Sequence, residues 1–161
     1  MYDAGYEDIT NIDISHVCIE DMQERNKTKP SMTWHVMDVM DMNFEDDTFD
    51  IAIDKSTIDA LLCGNNAFLN VAKMTREVQR VLKPKGYYFV ISYGRPENRT
   101  MHFNRSHLDF IVEVGQICAE GLKTDKEKFD KSHYIYTCQK GYDAKQKDEN
   151  WKSVEEALVS T

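Results

Sequence analysis

Residues 47–62 read Asp47-Thr48-Phe49-Asp50-Ile51-Ala52-Ile53-Asp54-Lys55-Ser56-Thr57-Ile58-Asp59-Ala60-Leu61-Leu62. The short apolar run from Phe49 to Asp54 has the length and composition of a buried strand. Polar residues follow at once, and a short helix is expected over about Thr57 to Leu62. Strand, polar turn and helix in this order form the repeating unit of an α/β fold.

The same alternation extends in both directions. Upstream, Gly5 is placed to close a preceding helix as its C′ residue, and Ile9 to Ile14 reads as a brief strand. Ser15 then opens a helix to about Asn26, with Val17, Cys18, Ile19 and Met22 expected on one side. Lys27 to Pro30 breaks it, and Thr33 to Met37 is a second strand. Downstream, Val71, Met74, Val78 and Val81 follow the 3-4-3 spacing of a buried stripe in a helix from about Phe68 to Leu82. Pro84 and Gly86 end that helix, and Tyr87 to Ser92 is a dense apolar strand. Two further strands, about Asp109 to Gln116 and Tyr134 to Gln139, flank the charged stretch Lys123 to Lys131. Their closeness in sequence suits an antiparallel hairpin with a long loop. These elements predict a mostly parallel sheet covered on both faces and closed by an antiparallel hairpin. The expected organisation is one domain over residues 1–141 and a polar tail over 142–161. In that tail Trp151, Val154 and Leu158 either dock one short helix or belong to a frayed end.

A formal charge of −8, from 28 acidic and 20 basic residues, disfavours a protein that tracks phosphates along nucleic acid. It leaves a basic protein as a suitable partner. Cysteines 18, 63, 118 and 138 form no C-x-x-C pair, and the five histidines complete no zinc spacing. Reduced thiols and a cytoplasmic setting, with access to the nucleus, are the expectation. No apolar run reaches the ~18 residues of a membrane span.

In open α/β sheets, ligands bind at the carboxyl ends of the strands. Asp13, at the end of the first strand, can accept both hydroxyl protons of a ribose; alternatively it supports the helix that starts at Ser15. Asp38, just after the second strand, can take the exocyclic amine of adenine, or simply form a turn. Asp54-Lys55-Ser56-Thr57, after the third strand, either faces the crevice or caps a helix beside a solvent-facing lysine. Three successive strand ends that each offer an acceptor or an ionisable group suit one adenosine.

In these surroundings the sequence resembles the class I S-adenosylmethionine-dependent methyltransferases. Gly5-Tyr6-x-x-Ile9-x-x-Ile12-Asp13-Ile14-Ser15 is similar to their second-strand signature, Asp47 to Ile53 to their fourth strand, and Val81-Leu82-Lys83-Pro84-Lys85-Gly86-Tyr87 to the turn into their fifth. Asp54-Lys55-Ser56-Thr57-Ile58-Asp59-Ala60-Leu61, Arg95-Pro96-x-x-Arg99-Thr100-x-His102-Phe103 and His133-Tyr134-Ile135-Tyr136 resemble a narrower branch. That branch comprises the lysine methyltransferases acting on translation elongation factor one alpha. The resemblance covers about Asp3 to Gly141. It implies a Rossmann-like sheet and S-adenosylmethionine as cofactor. It further implies Asp13 on the ribose, Ile14 against adenine, Asp38 and Val39 on the adenine edge, and Lys55 as a further cofactor contact. Target recognition is implied near Tyr93 to Phe103, and the implied partner is a protein substrate, with an elongation factor as the candidate. His102 is expected to pack a loop, and Asp59 and Arg99 to be structural. No residue is nominated as catalytic.

The family places a first strand and a G-x-G-type loop before the segment that starts here. The seven glycines, at 5, 64, 86, 94, 115, 121 and 141, contain no G-x-G pair. Losing five buried apolar side chains of a central strand removes roughly 10 kcal/mol, comparable with the ~5–15 kcal/mol stability of a whole domain. The expectation is therefore a sheet lacking its first strand, and little activity from these residues alone. Methyl transfer to a protein lysine by the complete gene product is the leading reading. A non-catalytic methyltransferase-like binding module and a small-molecule methyltransferase are the alternatives.

Overall fold

The computed structural model describes residues 1–117 and 132–160; the charged stretch Lys123 to Lys131 and Cys118 lie outside the described residues. Clustering of contacts divides the chain into two compact units, Met1–Asn43 and Phe44–Thr161.

The first unit starts with a single 3-10 turn, Tyr2–Ala4, closed by Gly5 at φ 90°. A left-handed residue is cheap only for glycine, so the expected helix-closing role holds. Strand β1 (Ile9–Asp13) and strand β2 (Met32–Val36) pair in parallel, from Ile9 opposite Met32 to Asp13 opposite Val36. Helix α1 (His16–Arg25) joins them. Its N-cap Ser15 accepts the Cys18 N–H at 3.2 Å through Oγ, and the Asn26 side chain donates to the Met22 carbonyl at 2.9 Å. Both helix ends are thus satisfied by residues whose side chains suit caps. The expected four-residue apolar side is not observed. Ile19 is buried, while Val17 is 75% exposed. A helix turns about 100° per residue, so positions two apart lie on opposite faces.

The second unit contains a four-stranded sheet in the order β3-β4-β6-β5. Strand β3 (Phe49–Lys55) runs parallel to β4 (Leu82–Ser92). The antiparallel pairs are β4 with β6 (His133–Lys140) and β6 with β5 (Phe110–Ile117), so the predicted hairpin forms. Helix α2 (Thr57–Leu62) matches its predicted span, and α3 (Ala67–Val81) buries Val71, Met74, Val78 and Val81 as its spacing requires. With Ile58, Leu82, Tyr88, Val90, Phe103, Tyr136 and Cys138 they form the core of this unit.

Strand β4 begins at Leu82, five residues before the expected start. Leu82 pairs with Phe49 and Tyr87 with Ile51, so the residues between form an irregularity in the register. Lys85 has φ 66°, and a Cβ on Gly86 would stand 2.9 Å from the Lys83 carbonyl oxygen and 3.0 Å from that of Asp50. Pro84 and Gly86 are therefore accommodated in an outward bulge that lets the strand continue. Lys140, 4% exposed, holds this corner by donating to Asp47 at 2.7 Å and to the Leu82 carbonyl.

Helix α4 (Pro96–Phe103) has no counterpart in the sequence reading. It starts with proline at its first turn and buries only His102 and Phe103, too few apolar positions for a periodic stripe. The C-terminal residues form two helices, α5 (Ala144–Asp148) and α6 (Trp151–Val159), where the sequence left one short helix or a frayed end open. Arg76 of α3 holds Asp148 with two hydrogen bonds of 2.7 Å, and its guanidinium lies 4.9 Å from the Trp151 ring centroid. Trp151 in turn meets the His107 ring edge-on at 5.0 Å. Gln79, also on α3, accepts the Asp109 N–H at 2.5 Å and donates to the His107 carbonyl at 3.3 Å. One helix thus organises both the entrance to β5 and the C-terminal helices.

His102 and His107 are 1% and 0% exposed, and burial pushes each down to about 4. Both are neutral in the fold and take up protons once unfolded, below about 6.5. Stability is then fully present above that value and declines as pH falls toward 4. Urea titrations should show a loss of about 1–2 kcal/mol per histidine between pH 6.5 and 5. His107→Leu should remove one histidine's share of that slope.

Candidate active site

In the first unit, parallel pairing sets the carboxyl ends of β1 and β2 side by side. The Asp13 carbonyl accepts the Met37 N–H at 3.0 Å, extending the ladder one residue past β2. The Asp13 carboxylate accepts the Ser15 N–H at 2.7 Å through Oδ1, so it also supports the start of α1. Asp38 closes a turn: Oδ1 accepts the Met40 N–H at 2.8 Å, and its carbonyl accepts the Asp41 N–H at 3.1 Å. Each carboxylate uses one oxygen in its own loop and keeps its second outside these bonds. Val39 is partly buried. Ile14, between Asp13 and the α1 cap, is 73% exposed, an apolar side chain that packing within its loop leaves uncovered. Four of the five sequence-nominated residues, Asp13, Ile14, Asp38 and Val39, therefore meet at one end of a two-stranded sheet.

The fifth, Lys55, is exposed at the carboxyl end of β3 in the second unit. Its neighbour Asp54 does not face a crevice. It is 6% exposed, accepts the Thr57 N–H at 2.7 Å and the Ile58 N–H at 3.0 Å, and takes a hydrogen bond of 3.3 Å from the buried Tyr88 hydroxyl. The carboxylate thereby caps α2 from outside the helix. Burial raises its pKa above the ordinary carboxylate value, against the pull of those hydrogen bonds. Ser56, bridging Asp54 and the helix, has φ 71° and donates its N–H to the Ile91 carbonyl at 3.0 Å. Lys55 is displayed on this tight, fully bonded turn.

Beside it lies a network that the sequence did not assemble. Asp59, in the first turn of α2, accepts from Ser92 Oγ at 2.5 Å, from the Tyr93 N–H at 3.2 Å and from Arg99 Nη2 at 2.9 Å. Burial pushes the Asp59 carboxyl up, but the bonds from Ser92, Arg99 and Tyr93 outweigh it and leave the group below its ordinary value. Asp59 and Arg99 lie 40 residues apart in the chain, with nothing in the spacing to connect them. His102, expected to pack a loop, is buried in α4 instead, with its ring 5.3 Å from that of Phe68.

A family model described as "Methyltransferase domain" matches residues 1–90. The chain belongs to the methyltransferase domain family. Over 125 residues this methyltransferase-family chain is 38% identical to the eEF1A lysine and N-terminal methyltransferase of Bos taurus, a match covering 74% of the chain and 18% of that protein. It is 32% identical over 112 residues to the EEF1A lysine methyltransferase 4 of Bos taurus, covering 65% and 44% of the two. The chain thus spans less than half the length of either relative. The N-methyltransferase NodS from Bradyrhizobium japonicum WM9, in complex with S-adenosyl-l-homocysteine, shares the fold with a TM-score of 0.59 at 13% identity, covering 81% of this chain and 65% of that one. Among the described residues no helix is long and apolar enough to cross a membrane.

Asp54→Ala would remove two amide acceptors from α2 and leave the Tyr88 hydroxyl without its carboxylate. Chemical denaturation should register a loss of about 2–3 kcal/mol, with Asp54→Asn recovering part of it.

Proposed function

We propose that this methyltransferase-family chain belongs to an enzyme that transfers a methyl group from S-adenosylmethionine to a lysine of a protein, with translation elongation factor one alpha as the leading substrate. The cofactor supplies an electrophilic methyl on a sulfonium. The observation that carries the cofactor reading is the strand-end pair Asp13 and Asp38 beside the exposed Ile14. Asp13 has a carboxylate oxygen with which to accept ribose hydroxyls, and Asp38 has one for an exocyclic amine. Ile14 and Val39 offer apolar surface to a purine. The lysine reading is supported by the two relatives named above, one an eEF1A lysine and N-terminal methyltransferase and the other an EEF1A lysine methyltransferase, and by the acidic charge of −8, which suits a basic substrate surface. For such a transfer the protein's task is to align a neutral amine in line with the methyl. Solvent can accept the amine's proton, so no general base is assigned.

Calorimetric titration with S-adenosylhomocysteine, using the protein expressed from its complete gene, tests the cofactor site. Asp13→Ala should weaken binding about 10- to 100-fold, the range for a hydrogen bond to a charged acceptor; unchanged affinity would remove Asp13 from the site. Labelled methyl transfer to purified elongation factor, with lysines replaced singly by arginine, tests the substrate. Methyl groups mapped by mass spectrometry only to positions other than lysine side chains would exclude lysine as the acceptor.

A further inference from the structure

Tyr93 combines two properties that rarely occur together. Its side chain is 66% exposed, yet the backbone on either side is fixed. The Tyr93 N–H donates to Asp59 Oδ2 at 3.2 Å. Ser92, fully buried, donates through Oγ to Asp59 Oδ1 at 2.5 Å and accepts the Gly94 N–H at 2.9 Å. The Gly94 carbonyl accepts from the Tyr136 hydroxyl at 2.6 Å. Arg99 reaches back from α4 to bond Asp59 and Ser92, and its guanidinium fills the space that a Cβ on Gly94 would need. The Tyr93 ring rests against His133, with centroids 4.1 Å apart.

The network's charges are spent internally, Asp59 against Arg99, with side-chain exposures of only 18% and 15%. What it presents to solvent is an aromatic ring on a fixed backbone, resting against His133. That ring stands where β4 ends, on the strand that pairs with the β3 end carrying Lys55, since Lys55 is opposite Ile91. An aromatic ring suits the stem of a lysine side chain, whose methylenes pack on it while the amine extends beyond. Fixing the ring's backbone beforehand reduces the ordering cost of binding.

Building on the function proposed above, we propose that Asp59 and Arg99 are positioning residues that set the affinity for the acceptor lysine by fixing Tyr93, which contacts its stem. Acceptor kinetics and S-adenosylhomocysteine affinity, measured on the protein expressed from its complete gene, test this. Tyr93→Ala and Asp59→Asn should each raise the acceptor KM about tenfold, with kcat and S-adenosylhomocysteine affinity held within about twofold. Tyr93→Phe should regain most of the lost affinity. The double variant should be no worse than Tyr93→Ala alone, because Asp59 acts through that ring. Amide exchange at Tyr93 and Gly94 should quicken in Asp59→Asn; should that variant not fold, Arg99→Lys, which keeps the charge and loses the planar fork, serves in its place. Additive effects in the double variant, an unmoved acceptor KM, or cofactor affinity falling in step would each overturn the inference while the proposed function stands. A wild-type protein that methylates no lysine overturns both.

Discussion

In the second unit, the geometry at the carboxyl end of β3 depends on one buried carboxylate. Asp54 terminates β3, and its two oxygens take the first amides of α2. Strand and helix are thereby joined across only Lys55 and Ser56, and the left-handed Ser56 is held by the surrounding bonds. From this junction the geometry follows in order. Lys55 points outward because its neighbour points inward. Asp59 reaches Ser92 and the Tyr93 amide because the helix start is fixed. Arg99 then joins α4 to the same carboxylate. Three elements distant in sequence are thus referred to a single turn.

The first unit works by a different device. Its two strands form a small parallel sheet, and the ends of both are shaped by acidic side chains that bond amides two residues ahead. Such local bonds cost little closure entropy, since they close short loops. They give each carboxylate a defined direction without consuming it. The alternatives set out from sequence for Asp13 and Asp38, local structural support or ligand acceptor, are therefore compatible: one oxygen serves the turn, and the other is available.

Legibility in the sequence varied with how local the determinants are. The α3 stripe was readable because helical periodicity repeats over four turns, and α2 because a strand, a polar turn and apolar residues adjoin. The strand ends bearing Asp13, Asp38 and Lys55 were readable for the same reason. The early start of β4 was not, because pairing Leu82 with Phe49 requires a bulge whose support, Lys140, comes from the far end of the chain. Helix α4 was missed because it is held chiefly through two buried residues and the Arg99 contact. Val17 was misplaced by treating adjacent apolar residues as one face. The Asp59–Arg99 pair was read as structural one residue at a time, and only the tertiary fold shows that the two share a carboxylate's worth of hydrogen bonds with Ser92 and Tyr93.

Gly94 carries a consequence for how this sequence can drift. The Arg99 guanidinium occupies the volume that any other residue's Cβ would claim, so positions 94 and 99 are not independent. A side chain at 94 requires the Arg99 guanidinium to swing aside, and doing so disturbs its bonds to Asp59 and Ser92. A change at 94 is therefore felt at Asp59, through residue 99. In relatives of this chain, glycine at 94 and arginine at 99 are therefore expected to co-vary as one epistatic unit.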